Sequence, residues 1–324
     1  MRKITRIFFI SFCLSALAMG AEELQFEEEL EGKYEFEKNP ETFDQKIRLG
    51  NGRIAVVYLA RDRKSKNLVA VRQVDKESNQ SFVEQERKAL GWHKACDHPH
   101  ILKILDIYES QQFLSAVMPR MGMDLFDYIL NHQPSGLPEP VARKYFVSLL
   151  SGLAYLHAKG IIHHDIKPEN ILLPCEVVEG YPDWKKIQIT DLGFACRPEG
   201  GIVPASEIPR SGTSGYMAPE IVVGFSYTNR VDVYALGCVF YVILVGSFPF
   251  HYGVKGQWTD SEEKFFAISF REGQYCPSIS LSPAAHQILR RIFRPLSQAS
   301  ERPTCEDLWT EFPWTKELSK ESEE

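Results

Sequence analysis

Paired cysteines, a basic charge balance, internal repeats and a membrane-length apolar run are all missing from this sequence. The seven cysteines, Cys13, Cys96, Cys175, Cys196, Cys238, Cys276 and Cys305, stand apart without a CxxC pair, so their spacing writes neither a zinc site nor a disulfide framework. A formal net charge of −6 offers no broad basic surface to displace counterions from a phosphate backbone, and no nucleic-acid partner is expected. The uncharged run near the N-terminus, Ile7 to Ala21, is about fifteen residues long, short of the ~20 that span a bilayer. What remains is ordinary for a folded globular chain: 44% hydrophobic and 25% charged over 324 residues, enough for one large two-lobed fold.

Three basic residues, Arg2, Lys3 and Arg6, precede that apolar run, and the small residues Ala18 and Gly20 close it. This is the layout of a secretory signal peptide, so residues 1–20 are set aside from the fold and no transmembrane span is expected after cleavage. The expected destination is the secretory pathway or export, including delivery as an effector into another cell. Residues 21–42 are strongly acidic and read as a solvated extension or one edge element without chemistry, and residues 315–324 as a charged tail.

From Thr42 onward the pattern is short β runs: Ala55–Leu59, a polar turn at Asp62–Asn67, then Leu68–Val74. Ser81–Lys94 has helical spacing, and Leu102–Tyr108 and Gln112–Met118 read as two further strands. Helices follow. Pro140 opens one that runs to about Lys159, with Phe146, Leu149, Leu150, Leu153 and Leu156 on one face. Val231–Leu244 is apolar nearly all round, the mark of a buried helix.

The chemistry is carried by ordered motifs. Leu49-Gly50-Asn51-Gly52 lies between strand-like segments, where closely spaced glycines let backbone N–H groups approach phosphate. Downstream come His163-His164-Asp165-Ile166-Lys167-Pro168-Glu169-Asn170, then Asp191-Leu192-Gly193, then Ala218-Pro219-Glu220. In this order and at these distances, over residues 43–314, the strings resemble the catalytic loop, magnesium motif and activation-segment end of eukaryotic-type Ser/Thr protein kinases.

That resemblance implies an α+β fold of two lobes, a small β-rich one and a larger helical one, and it assigns roles. Asp165 would accept the proton of the substrate hydroxyl, and Lys167 would meet the transferred phosphoryl. Asn170 and Asp191 would hold Mg²⁺, a cation that takes hard oxygen ligands. ATP would be held by Leu49, Gly50, Gly52 and Val57 of the glycine-rich loop, by Ala70 and Arg72, and by Met118, Pro119, Met121 and Asp124 of the hinge. Glu86 is the expected partner of Arg72, with Glu84 the alternative. Thr213, in the run Gly212-Thr213-Ser214-Gly215, would bond Asp165 and Lys167. Asp232 and Gly237 match the helix beneath the catalytic loop, and Glu220 and Arg302 a buried pair.

Several positions depart from the family pattern. Arg72 stands where a lysine pairs the α- and β-phosphates, and a planar fork does not replace a compact ammonium at a tight site. The glycine-rich loop holds no obvious substitute lysine; Arg53 lies near its tip, and Lys64 and Lys66 sit in the following polar turn. Ala55 replaces the loop's third glycine, Leu192 a phenylalanine and Tyr234 a tryptophan. His164 stands where many members carry an arginine that grips a phosphorylated activation loop, so loop phosphorylation at Ser206 or Ser211 is less expected to activate. Pro174–Gln188 is longer than the usual turn and reads as a surface insertion. Two functions stay open: a monomeric kinase using ATP and Mg²⁺ on Ser/Thr of protein substrates, or a pseudokinase scaffold or nucleotide-binding regulatory module, because of Arg72.

Overall fold

The computed structural model describes residues 29–40, 42, 45–52, 54–207, 213, 215–250, 273–275, 281–312 and 314–315. The leader, residues 21–28 and 41 of the acidic extension, Arg53, Ser211, Gly212, Ser214 and the tail beyond Thr315 lie outside them. The chain divides into two compact units, one of residues up to Cys96 with Leu102–Arg120, the other of Asp97–Ile101 with Met121 onward. Among the described residues no helix is long and apolar enough to cross a membrane.

The first unit is built on a six-stranded antiparallel sheet. Its strands are β1 (Tyr34–Phe36), β2 (Arg48–Asn51), β3 (Val56–Asp62), β4 (Leu68–Asp75), β5 (Asp106–Glu109) and β6 (Phe113–Pro119), and helix α1 (Gln80–Lys94) follows β4. The strands run β1-β3-β4-β6-β5, with β2 paired to β3 on the same edge that β1 occupies further along. Because side chains alternate along a strand, the register sorts the sheet into two faces. Tyr58 opposite Val71, Ala60 opposite Val69, and Val71 opposite Val117 define one. Leu30, Tyr34 and Phe36 pack onto that face, with Leu30 and Tyr34 only 2% exposed. Within the acidic extension, Tyr34–Phe36 is therefore an edge strand with an apolar underside, and Tyr34 anchors it further by bonding the Asp106 carboxylate beside Lys33.

The expectation of a strand over Leu102–Tyr108 needs shortening. Only Asp106–Glu109 pairs with β6; Leu102 and Ile104 are buried in non-strand backbone, so their apolar character reflects core packing and not sheet pairing.

The second unit is mainly helical: α2 (Leu125–His132), α3 (Glu139–Ala158), α4 (Pro219–Val222), α5 (Arg230–Val245), α6 (Pro283–Ile292) and α7 (Cys305–Glu311). Pro140 sits in the first turn of α3, where a missing N–H costs nothing. All of α5 from Val231 to Val245 is buried, which explains its lack of a polar face. It ends at Gly246, whose φ of +73° and approach to the Pro134 carbonyl leave no room for a side chain. Gly237 within it faces Ile292 of α6, 2.5 Å from where a Cβ would stand.

Two short ladders complete this unit, β7 (Ile171–Leu172) with β10 (Gln188–Ile189), and β8 (Val177–Val178) with β9 (Tyr181–Pro182). The second ladder is the Pro174–Gln188 insertion. It is a tight hairpin whose two turn residues, Glu179 and Gly180, both have positive φ (55° and 84°), as a twist-matched two-residue turn requires. It is seated on α3, whose Tyr145 and Ser148 hydroxyls donate to the carbonyls of Pro182 (3.0 Å) and Trp184 (2.8 Å).

Candidate active site

In the first unit, the strand register puts the side chains of Val57, Ala70, Arg72 and Met118, all predicted to bind nucleotide, on one face, opposite the one the extension covers. Gly50 pairs with Val57, Val57 with Arg72, and Ala70 with Met118. Leu49 lies in a bulge between the pairing positions of β2, and Gly52 donates its N–H to the Ala55 carbonyl at 2.8 Å, closing the glycine-rich turn. Arg72 and Glu86 of α1 form an ion pair through Nη1 and Oε1. Glu84, the other candidate, is engaged with Arg87 on the exposed side of α1. Pro119 ends β6 and contributes no N–H to it.

In the second unit, Met121 precedes Gly122, whose N–H donates to the Leu173 carbonyl at 2.7 Å. Asp124 uses its carboxylate to cap α2, accepting from the Asp127 N–H at 2.8 Å, and burial pushes its pKa up from the ordinary carboxylate value despite that bond.

The catalytic-loop residues converge in the second unit. Asp165 is buried and central. Its Oδ1 accepts from the Thr213 hydroxyl (3.0 Å) and N–H (3.2 Å), and its Oδ2 meets Lys167 Nζ (2.8 Å) and Asn170 Nδ2 (2.9 Å). Lys167 also donates to Thr213 Oγ1 at 2.7 Å. Asn170 directs its amide nitrogen to the Asp165 carbonyl as well (2.8 Å), so its carbonyl oxygen is the atom left to meet a cation. Asp191 follows β10, and the Thr190 N–H donates to the Asn170 carbonyl at 2.9 Å, which sets Asp191 beside the catalytic loop. Its φ of +62° bends the chain there, and its Oδ1 accepts from the Gly193 N–H at 3.0 Å.

The loop itself hangs on Asp232 of α5, which accepts from the backbone N–H groups of His163 (2.8 Å) and His164 (2.9 Å). Spacing alone did not reveal two further members of this support. His157, at the end of α3, holds Asp232 at 2.9 Å through Nε2, and Cys305 Sγ lies 3.5 Å from its Nδ1. Burial opposes charge on His157, yet the Cys305 sulfur and the Asp232 carboxylate raise its pKa to about 10. Burial likewise opposes charge on Asp232, and the His157 bond and charge hold it below the ordinary carboxylate value. His163 Nδ1 accepts from the Asp165 N–H (3.2 Å), so its Nε2 is the protonated nitrogen and donates to the Thr190 carbonyl (3.0 Å).

Residues 43–314 match the family described as the protein kinase domain. The chain belongs to that family. Among relatives, the kinase domain is 30% identical over 273 residues to the carbon catabolite-derepressing protein kinase of Candida tropicalis, covering 81% of this chain and 40% of that protein. It is 32% identical over 206 residues to serine/threonine-protein kinase D2 of Homo sapiens, covering 63% of this chain and 22% of the relative. The chain thus spans well under half the length of these relatives. Its two units have the make-up of the small β-rich and large helical kinase lobes, and β1 lies upstream of the matched residues.

Proposed function

We propose that this kinase domain transfers the γ-phosphoryl of Mg-ATP to Ser or Thr hydroxyls of protein substrates. The observation that carries the reading is the single network of Lys167, Asn170 and Thr213 around the buried Asp165. Phosphoryl transfer needs orientation and charge neutralisation more than covalent help. Asp165 orients the acceptor hydroxyl and takes its proton. Lys167, fixed by Asp165 and Thr213, presents its ammonium to the charge that develops on the moving phosphoryl. Asn170 and Asp191 are the residues that would hold Mg²⁺. Their hard oxygens suit it, and two protein ligands are enough for an ion completed by phosphate and water. Bound Mg-ATP supplies the phosphoryl group and neutralises its oxygens.

One observation favours a second reading, a nucleotide-binding scaffold: Arg72 is tied to Glu86 and presents a fork where the reaction calls for a compact cation. The two readings separate in one assay of labelled γ-phosphate transfer from Mg-ATP to a generic Ser/Thr substrate by the full chain. For an enzyme, Asp165→Asn lowers the rate at least ~100-fold, the scale of a lost general base, and Arg72→Lys raises kcat/KM. A scaffold gives no transfer above the Asp165→Asn control and stays silent with Arg72→Lys. The leader is removed on export, so N-terminal sequencing of the exported protein is expected to begin at Ala21.

A further inference from the structure

Two buried polar atoms next to the catalytic loop have no hydrogen-bond partner among the described residues: His164 Nε2 and the Tyr227 hydroxyl. Buried polar atoms of this kind are nearly always satisfied, by protein or by an internal water. His164 immediately precedes Asp165 and has a φ of +68°. Its N–H is held by Asp232, and its Nδ1 lies 3.0 Å from the Phe194 carbonyl oxygen. A carbonyl accepts only, so Nδ1 carries the proton, and in the neutral form of such a ring Nε2 is a lone pair that calls for a donor.

Tyr227 stands against this ring edge to face, with centroids 5.5 Å apart. Its hydroxyl lies within the electrostatic reach of Cys196 and Asp232: burial first, then these two groups, push its pKa up, so it remains a protonated donor at neutral pH. The same residue is zipped by its backbone to Val203, with N–H to carbonyl bonds of 2.9 and 3.1 Å in both directions. Tyr227 therefore touches the segment after Asp191 through its backbone and the residue before Asp165 through its ring.

We propose that Tyr227 is a positioning residue for the catalytic loop: its hydroxyl donates to one buried water that in turn donates to His164 Nε2, and this link fixes the His164 ring on the Phe194 carbonyl. By this route the strained turn at His164, and with it the direction of Asp165, is set by the segment that carries Val203. The role in turnover rests on the phosphoryl-transfer reading; the hydrogen bond does not.

Two measurements on the full chain separate them. In the first, ring ¹⁵N shifts are recorded with labelled histidine, and His164 is assigned by its loss in His164→Asn. Tyr227→Phe keeps the ring contact and removes only the hydroxyl, so the His164 Nε2 resonance is expected to move by several ppm toward that of an unbonded lone pair; an unmoved resonance overturns the proposal. In the second, kcat and the ATP KM are compared. Tyr227→Phe is expected to lower kcat about tenfold with KM unchanged, the scale of one lost hydrogen bond. His164→Asn, which tolerates positive φ and can still place its amide on Phe194, is expected to fall equally, and the double variant no further. Wild-type kcat in either single variant, or additive losses in the double, rejects the positioning role. A wild-type chain that transfers no phosphate rejects the phosphoryl-transfer reading and with it the turnover role, while the ¹⁵N result still decides the hydrogen bond.

Discussion

Arg302 shows how much one residue can hold. It is fully buried, and its fork meets Glu220 at 2.5 and 3.1 Å while also donating to the carbonyls of Ile292 (3.1 Å) and Arg230 (3.1 Å), with its guanidinium 5.0 Å from the Tyr234 ring centroid. Replacing it strands a buried carboxylate. Arg302→Met is expected to cost about 3–5 kcal/mol in urea unfolding, and Arg302→Met/Glu220→Gln distinctly less than the two single losses added. A loss below ~1 kcal/mol for Arg302→Met would show the pair to be bystanders. Arg302, Glu220, Asp165 and Thr213 were all legible as residues from their motifs. His157, Cys305 and Tyr227 were not, because each acts through a partner brought near only by packing: His157 meets Asp232 75 residues away.

At the scale of elements, the sheet begins earlier than the kinase signature. Residues 21–42 look like solvated acidic chain because their glutamates dominate the count, yet Leu30, Tyr34 and Phe36 fall on one side and cover the sheet face built by Tyr58, Val69, Val71 and Val117. Lys33–Asp106 (2.7 Å) and Arg61–Glu37 (2.7 Å) border this contact but are partly exposed and add little. The apolar burial is the larger effect, at roughly 1.5–3 kcal/mol for each large side chain. A chain starting at residue 43 is therefore expected to unfold at a clearly lower urea concentration than one starting at residue 29. Equal midpoints by circular dichroism would mean the extension merely rests on the sheet. The Pro174–Gln188 insertion carries the same lesson: its length was visible, but its docking on Tyr145 and Ser148 depends on where α3 runs.

For the molecule as a whole, the His157–Asp232 pair ties the catalytic loop's support to pH. The folded-state pKa of His157, about 10, lies above the ordinary 6.5, so the protonated ring is favoured by folding. That stabilisation is complete below about pH 6.5 and is lost as pH rises through 10. Asp232 is depressed, so its share is present above the ordinary 3.8 and lost as acid lowers the pH through its folded value. The urea midpoint of wild type should thus exceed that of His157→Gln most at pH 6, with the gap shrinking toward pH 10. A gap that is constant or widens with pH contradicts a charged His157.

The sequence by itself determined the fold class and the chemistry-bearing residues, since phosphoryl transfer needs particular groups at short, local spacings: Asp165, Lys167 and Asn170 lie within one loop, and the glycines within one turn. Strand alternation and an all-apolar α5 were equally local signals. Only the tertiary structure decided which face of the sheet the acidic extension covers, how Asp124 is occupied as a helix cap, and which buried groups hold the loop from below. Those depend on contacts between residues far apart in sequence, and side-chain burial and charge pairing exist only once the chain has closed on itself.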